Sequence, residues 1–371
     1  MHSPYSMRRL PSRHDMPVLQ GHAGPAFETP VGQMLGTWPD DYSIIPRTAL
    51  ASHDNRKEMK MKSEDRFDFA RFKMPLVMMM VFCGIAVALW QTTGRIFYFF
   101  NFGYIGTALG VGLGVYSALP KRQKLWGRRL AQFLVGAYML VFLGLFQREN
   151  MQIEGFFFYI LSGFFAGSVI HYLVAKIVGP LVFNRGWCGW ACWTAMVLDL
   201  LPYRRNKRGR RSDRWGYLRY IHIALSLGLV AVLWWGLNYR VQDQSLTELY
   251  WLLGGNILYY AVGIALAYAL QDNRAFCKYV CPIPVLQKIT SRFALIKIAG
   301  HAQNCNDCGA CNKMCPMDIR VSEYVLDEQR VLSTECILCM ECVNVCAKGA
   351  LDASFGFDFG NRELLTKDKS A

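Results

Sequence analysis

From residue 75 onward the chain alternates between long apolar blocks and short basic ones. Six apolar stretches, at approximately 75–92, 97–119, 130–146, 155–180, 219–238 and 247–270, approach the ~20 residues a helix needs to cross the hydrocarbon core of a bilayer. The pattern predicts an α-helical polytopic membrane protein with about six transmembrane helices. Residues 1–72 break it: they are polar and irregular, carry the charged run Asp54 to Arg66, and are expected to form a weakly ordered extension.

Composition agrees with a membrane solvent, since 53% of residues are hydrophobic and only 18% charged. A net charge of +14 is also a nucleic-acid signature, but the basic residues sit in short blocks between apolar runs and not along one soluble face, so no nucleic-acid partner is expected. Those blocks orient the chain. Lys121, Arg122, Lys124, Arg128 and Arg129 follow the second stretch, and Arg185, Arg204, Arg205, Lys207, Arg208, Arg210, Arg211 and Arg214 follow the fourth. The alternate connections hold only Arg95, Arg148 and Arg240. By the positive-inside rule the basic loops are cytoplasmic, and an even number of spans then puts both termini there. The loop Arg204 to Arg214 reads as a topology determinant in contact with anionic lipid. The first residues show charge without a 7–15 residue apolar core, so no cleavable signal peptide is expected.

Thirteen cysteines change the picture further. Eight form two runs, Cys305-x2-Cys308-x2-Cys311-x3-Cys315-Pro316 and Cys336-x2-Cys339-x2-Cys342-x3-Cys346. In two-cluster ferredoxins the first three cysteines of a run hold one cubane and the fourth crosses to the other. The runs therefore predict two [4Fe-4S] clusters, one on Cys305, Cys308, Cys311 and Cys346, the second on Cys336, Cys339, Cys342 and Cys315. Zinc sites use paired Cys-x2-Cys units and leave the third cysteine and the x3 step unexplained. Ala347 stands where the second run would carry proline. The usage points to a reducing compartment.

Arg185-Gly-Trp187-Cys188-Gly-Trp190-Ala-Cys192 and Arg274-Ala-Phe276-Cys277-Lys-Tyr279-Val-Cys281 form an internal repeat, each copy following the inward end of a predicted span. If the local backbone is helical, cysteines four apart share a face, and two faces at one depth can converge four thiolates on a third cluster. The flanking aromatics suit an interfacial belt, and the arginines can offset cluster charge. Redox-active dithiols, other metal chemistry and plain interfacial packing are the competing readings. Cys83, alone in the first stretch, reads as a small buried side chain. His171 and His222 fall in the fourth and fifth stretches, where an ionisable residue is a functional candidate. They read as quinone contacts or as satisfied interhelical hydrogen bonds, at depths too different for a shared haem.

Spans, paired Cys-x3-Cys motifs and a double ferredoxin run together resemble the polyferredoxin membrane proteins of the NapH, NosR and CcoG type, over roughly residues 75–350. Proline follows Cys281 as in the family pattern, whereas Trp193 follows Cys192. The resemblance implies a bacterial cytoplasmic (inner) membrane protein of this organisation: an N-terminal extension (1–72), a transmembrane bundle (73–272), a second Cys-x3-Cys motif and linker (273–300), an α+β bacterial-type 2[4Fe-4S] ferredoxin domain (301–352) and a tail (353–371). It implies electron transfer between a membrane donor, quinol, and a protein redox partner, as a quinol-oxidising subunit of a larger system. The alternative it allows is an accessory protein that reduces or delivers a metal such as copper during maturation of another enzyme.

Overall fold

The chain divides into two units, Met1–Phe67 and Asp68–Ala371. The structure, a computed structural model, describes residues 72–164, 167–203, 213–240 and 245–358, all in the second unit. Residues 1–71 of the expected extension, Arg204 to Arg211 of the basic loop and residues 359–371 of the tail lie outside the described residues.

Local stops set the helix ends. Helix α1 (Lys73–Thr93) ends at Gly94, whose left-handed φ of 67° returns its N–H to the Trp90 carbonyl, a glycine stop. α2 (Ile96–Ala118) folds back on it. α3 (Lys124–Ala137) widens into π-helical turns over Tyr138–Phe146. A Cβ added to Gly112 would lie 2.3 Å from the Ala131 Cβ, and one on Gly127 would lie 2.4 Å from the Tyr116 Cα. Small residues thus let α2 and α3 approach to a separation that larger side chains forbid, the usual membrane-helix solution.

The apolar stretch expected at 155–180 is not one helix. It is divided into α4 (Ile153–Leu161) and α5, which runs as Gly167–Tyr172, a π-helical Leu173–Val178 and Gly179–Phe183. The Ser162 hydroxyl donates back to the Phe158 carbonyl at 2.8 Å, and Gly163 takes a φ of 69°, which ends α4. Hydropathy alone does not register that stop. α6 (Gly186–Trp190) and α7 (Trp193–Leu198) follow, then α8 (Leu218–Ala231), prolonged by π-helical Val232–Gly236. α9 (Leu246–Leu270) begins on Ser245, whose hydroxyl accepts the Glu248 N–H at 3.3 Å, a side-chain N-cap.

Five helices among the described residues are long and apolar enough to cross a membrane: Lys73–Thr93, Ile96–Ala118, Lys124–Phe146, Arg214–Gly236 and Leu246–Leu270, with Gly167–Phe183 a shorter apolar helix. Leu76, Met80, Phe100, Leu225, Val232 and Ile257 face outward from these helices, a surface suited to lipid and not to water.

Beyond α9 lie α10 (Ala275–Tyr279) and α11 (Ile283–Ser291). The C-terminal module pairs β1 (Ile296–Gly300) antiparallel with β2 (Leu351–Phe355), Ile296 opposite Phe355 and Gly300 opposite Leu351. α12 (Ala310–Met314), α13 (Val321–Leu326) and α14 (Glu341–Val345) lie between them in sequence. Ile298, Met317, Tyr324, Val325 and Ile337 form its core, and Cys188 from the membrane portion packs into that same core. The two parts therefore share an apolar core.

Candidate functional site

The two ferredoxin-type runs fold alike. Asp307 and Leu338, Gly309 and Met340, and Asp318 and Gly349 occupy equivalent places and all have positive φ. Each non-glycine residue in that region costs about 1–2 kcal/mol, a cost paired here with inward-facing amides. Alternating left-handed residues turn successive N–H groups into an anion-binding concavity. The Asp307 amide donates to the Cys305 sulfur at 3.4 Å, the Ile319 amide to Cys315 at 3.4 Å and the Ala350 amide to Cys346 at 3.3 Å.

Cys315, Cys336, Cys339 and Cys342 line one cavity, the quartet that the crossed assignment predicts. Burial pushes the Cys315, Cys336 and Cys339 thiols up to about 12 and Cys342 well above its ordinary value. Thiolates in that setting require a cationic body to take their charge. Cys308, by contrast, is exposed, and Cys305, Cys311 and Cys346 are half-buried. One quartet lies inside, against the membrane portion, and the other lies at the surface.

The four remaining motif cysteines also converge: Cys188, Cys192, Cys277 and Cys281 line a single cavity. The condition of a helical backbone through each pair is not met. Cys188 and Cys277 lie in α6 and α10, but Cys192 and Cys281 fall just beyond them, Cys192 in extended backbone. In each copy one carbonyl, of Trp187 or of Phe276, accepts the last two amides of the motif, so a closed turn delivers the second sulfur. The repeat also extends one residue further back than the cysteine pattern suggests, to Asn184 and Asn273, both buried. Burial pushes the Cys277 thiol up to about 11, with Arg274 opposing, and pushes Cys281 further. Among the described residues no group of three or more His, Cys, Asp or Glu side chains closes to the spacing of a single metal ion. The two lining quartets surround cavities instead.

Buried charge pins these loops together. Arg274 donates to Asp199 through Nε at 2.7 Å and Nη2 at 2.6 Å, while its Nη1 reaches the Cys188 carbonyl at 3.1 Å and the Cys277 sulfur at 3.9 Å. Arg128 adds a second cation on Asp199 at 3.1 Å and binds the Gly189 carbonyl at 3.0 Å. Burial alone would raise the Asp199 carboxyl, but Arg274 and Arg128 hold it below the ordinary carboxylate range. Glu335, immediately before Cys336, is paired with Arg185, with Arg219 at 2.8 Å and with Lys288 at 2.7 Å. Lys278 bridges Asp272 at 2.7 Å and Asp318 at 2.5 Å. Each arginine that opens a Cys-x3-Cys motif therefore has its own carboxylate, Asp199 or Glu335, neither of which the motif pattern singles out.

The first Cys-x3-Cys loop abuts the buried ferredoxin quartet. A Cβ on Gly189 would lie 2.3 Å from the Ile337 carbonyl oxygen, so only glycine fits there. The Trp190 indole donates to the Leu338 carbonyl at 2.9 Å, and the Arg185 amide to the Cys336 carbonyl at 3.2 Å.

Two family models cover the segments that carry these cysteines. A family model described as a 4Fe-4S dicluster domain matches residues 297–347, and one described as a 4Fe-4S binding domain matches residues 165–211 and again 253–299, spans that contain the two Cys-x3-Cys copies. The uncharacterized protein MJ0750 of Methanocaldococcus jannaschii is 30% identical over 209 residues, covering 54% of this chain and 84% of that relative. The chain belongs to the NapH-like polyferredoxin family. Two further members are YccM of Escherichia coli, a putative electron transport protein, 32% identical over 47% of this chain and 52% of its own length, and the ferredoxin-type protein NapH of Escherichia coli, 26% identical over 49% and 64%. No solved structure matches. As a polyferredoxin the chain carries two [4Fe-4S] clusters, serves iron-sulfur electron transfer and is a membrane protein.

Within this polyferredoxin the two histidines do not meet. His171 Nδ1 lies 2.6 Å from the Gly167 carbonyl and so carries the hydrogen, which leaves Nε2 to accept from Asn101 Nδ2 at 3.2 Å. The Tyr138 hydroxyl fixes that amide by donating to Asn101 Oδ1 at 2.9 Å. Both ring nitrogens are spent on protein. His222 Nδ1 donates to the Val280 carbonyl at 2.9 Å, and Nε2 faces the Tyr259 hydroxyl at 3.5 Å. Cys83 is half-buried in α1. A separate cavity of about 280 Å³ separates α1 and α2 from the loops at 186–191 and 338–340, with Met78, Phe82, Leu113, Trp187, Trp190 and Leu338 among its walls.

Proposed function

We propose that the chain passes electrons between quinol in the membrane and a protein redox partner, through a third iron-sulfur centre held by Cys188, Cys192, Cys277 and Cys281 and then through the two ferredoxin clusters. One observation carries the reading: four thiols from two distant motifs line one cavity, and the glycine between the first two rests on the loop between Cys336 and Cys339. The cavity suits such a centre, because the Gln152 Nε2, buried on its wall, has no acceptor among the described residues. Bound there, a cluster supplies one-electron steps that divide the two electrons of a quinol.

Cys336, Cys339, Cys342 and Cys315 hold the next cluster inward, and Cys305, Cys308, Cys311 and Cys346 the outer one, with exposed Cys308 at the exit toward the partner. The apolar cavity beside Trp187, Trp190 and Leu338 touches both the third centre's loop and the inner ferredoxin loop, which makes it the better candidate for the quinol ring than His171 or His222. Lys121, Arg122 and their neighbours support a cytoplasmic ferredoxin module and cytoplasmic termini, in the inner membrane of a bacterium.

Anaerobically purified protein is expected to contain about twelve irons and as many sulfides, four per cluster, and a short-chain quinol should reduce them. Content near eight, with copper bound at the Cys-x3-Cys pairs, would establish the metal-maturation role instead. The crossed ligation has its own test. Cys346→Ser should alter the magnetic-resonance signal of the outer cluster and leave the inner one intact, and Cys315→Ser should do the reverse; the opposite pairing would refute the assignment.

A further inference from the structure

Among the described residues, Lys176 is a cation at the four-cysteine cavity with no carboxylate in a salt bridge to it. Lys176 lies in the π-helical part of α5 with 5% of its surface exposed, and it lines the cavity together with Cys188, Cys192, Cys277 and Cys281. Its Nζ stands 5.1 Å from the Trp187 ring and 5.8 Å from the Trp193 ring. Among the described residues it forms no salt bridge, whereas Arg185, Arg274 and Lys278 each have an acid at hydrogen-bond distance. An ammonium buried at this depth costs several kcal/mol unless a counter-charge meets it. Two indole faces return only about 0.5–2 kcal/mol each. Gln152, on the same wall and also buried, leaves its Nε2 without an acceptor. These two donors, one of them charged, thus line the cavity beside the four sulfurs, together with the acid-paired Arg185 and Arg274.

We propose that Lys176, assisted by Gln152, is the resident counter-charge of the four-cysteine centre and raises its reduction potential. The inference rests on the third centre proposed above. One-electron reduction adds one negative charge at the cavity while the donor loses one electron. A fixed ammonium stabilises the reduced form more than the oxidised form, and an amide N–H directed at sulfur acts in the same sense. The motif arginines differ from it, because each holds a carboxylate at hydrogen-bond distance, Arg274 on Asp199 and Arg185 on Glu335. The low dielectric that makes an unpaired lysine costly also makes its field on the centre strong. Lys176 acts as a positioning and tuning group and takes no electron itself.

The test is a spectroscopically monitored redox titration of the full-length protein in detergent, comparing wild type with Lys176→Met, Lys176→Gln, Lys176→Arg and Gln152→Leu. The Met and Gln variants should disfavour reduction of the third centre at least tenfold, about 59 mV for one electron, with the ferredoxin potentials unmoved. Lys176→Arg should restore most of the shift, and Gln152→Leu should give a smaller shift of the same sign. Selective loss of the third centre in Lys176→Met, with iron falling from about twelve toward eight and Arg retaining it, also supports the proposal. An unchanged potential with all irons present overturns it, as does failure of arginine to restore a centre that glutamine loses. If wild type itself holds only about eight irons, the third centre is absent and the failure lies with that reading.

Discussion

Replacing Asp199 with alanine is expected to destabilise the protein by about 3–5 kcal/mol, the cost of removing one partner from a buried ion pair, and to strip iron from the four-cysteine centre selectively. Asp199 follows α7, Arg128 lies within α3 and Arg274 precedes α10, so one carboxylate ties three elements together. Without it the buried Arg274 loses its carboxylate and the anchor that holds it against the Cys188 carbonyl and the Cys277 sulfur, while Arg128 is left with Glu341 at 3.8 Å. Thermal unfolding of detergent-solubilised protein, read beside iron content, measures both effects. Asp199→Asn retains some hydrogen bonds and should fall between. The pH dependence has a definite sign. The folded carboxyl lies below its unfolded value of about 3.9, so its contribution is complete above that value and is lost as pH falls through the folded one. Wild type should therefore lose stability in acid more steeply than Asp199→Ala; parallel pH profiles would show that the network contributes nothing to folding.

Glu335→Ala should have an effect of similar size but a different character. Glu335 receives Arg185 and Arg219 from the membrane portion and Lys288 from α11. Its removal takes a shared carboxylate from three cations at this contact, again with about 3–5 kcal/mol at stake for the buried pairs. The strands β1 and β2 and the eight ferredoxin cysteines do not depend on it. The two ferredoxin clusters should therefore persist while the contact between residues 184–190 and 333–339 loosens. Hydrogen exchange should speed up at the Arg185 amide, which donates to Cys336, and quinol should reduce the ferredoxin clusters far more slowly. Unchanged exchange at that amide would refute a docking role for Glu335.

Neither acid is visible in a reading of the chain alone, and the reason is general. A cysteine run or an apolar block is a local pattern: its members lie within one turn or one helix, so spacing carries the geometry. Asp199 and Glu335 are single residues whose partners stand between 47 and 150 positions away. Many acids in the chain look the same until folding selects the two that become buried. Lys176 and Gln152 are hidden for the same reason, since within an apolar stretch a lysine near one end reads as an interfacial residue. The broken fourth stretch shows the converse error. Its hydropathy is continuous from 155 to 180, and only the Ser162 back-bond and the left-handed Gly163 end α4.

The amino-acid order determined the chemistry: eight cysteines spaced for two cubanes, a second motif given twice, and apolar lengths matched to a bilayer. Each of these is written within a few tens of residues, where chain connectivity already limits which atoms can meet. Tertiary structure alone decided that the two Cys-x3-Cys copies share one cavity, that Gly189 rests on the Ile337 carbonyl, and which buried acids neutralise which arginines. Those outcomes depend on helices packed at small residues and on charge forced to find counter-charge away from water, energies that exist only once distant segments are in contact.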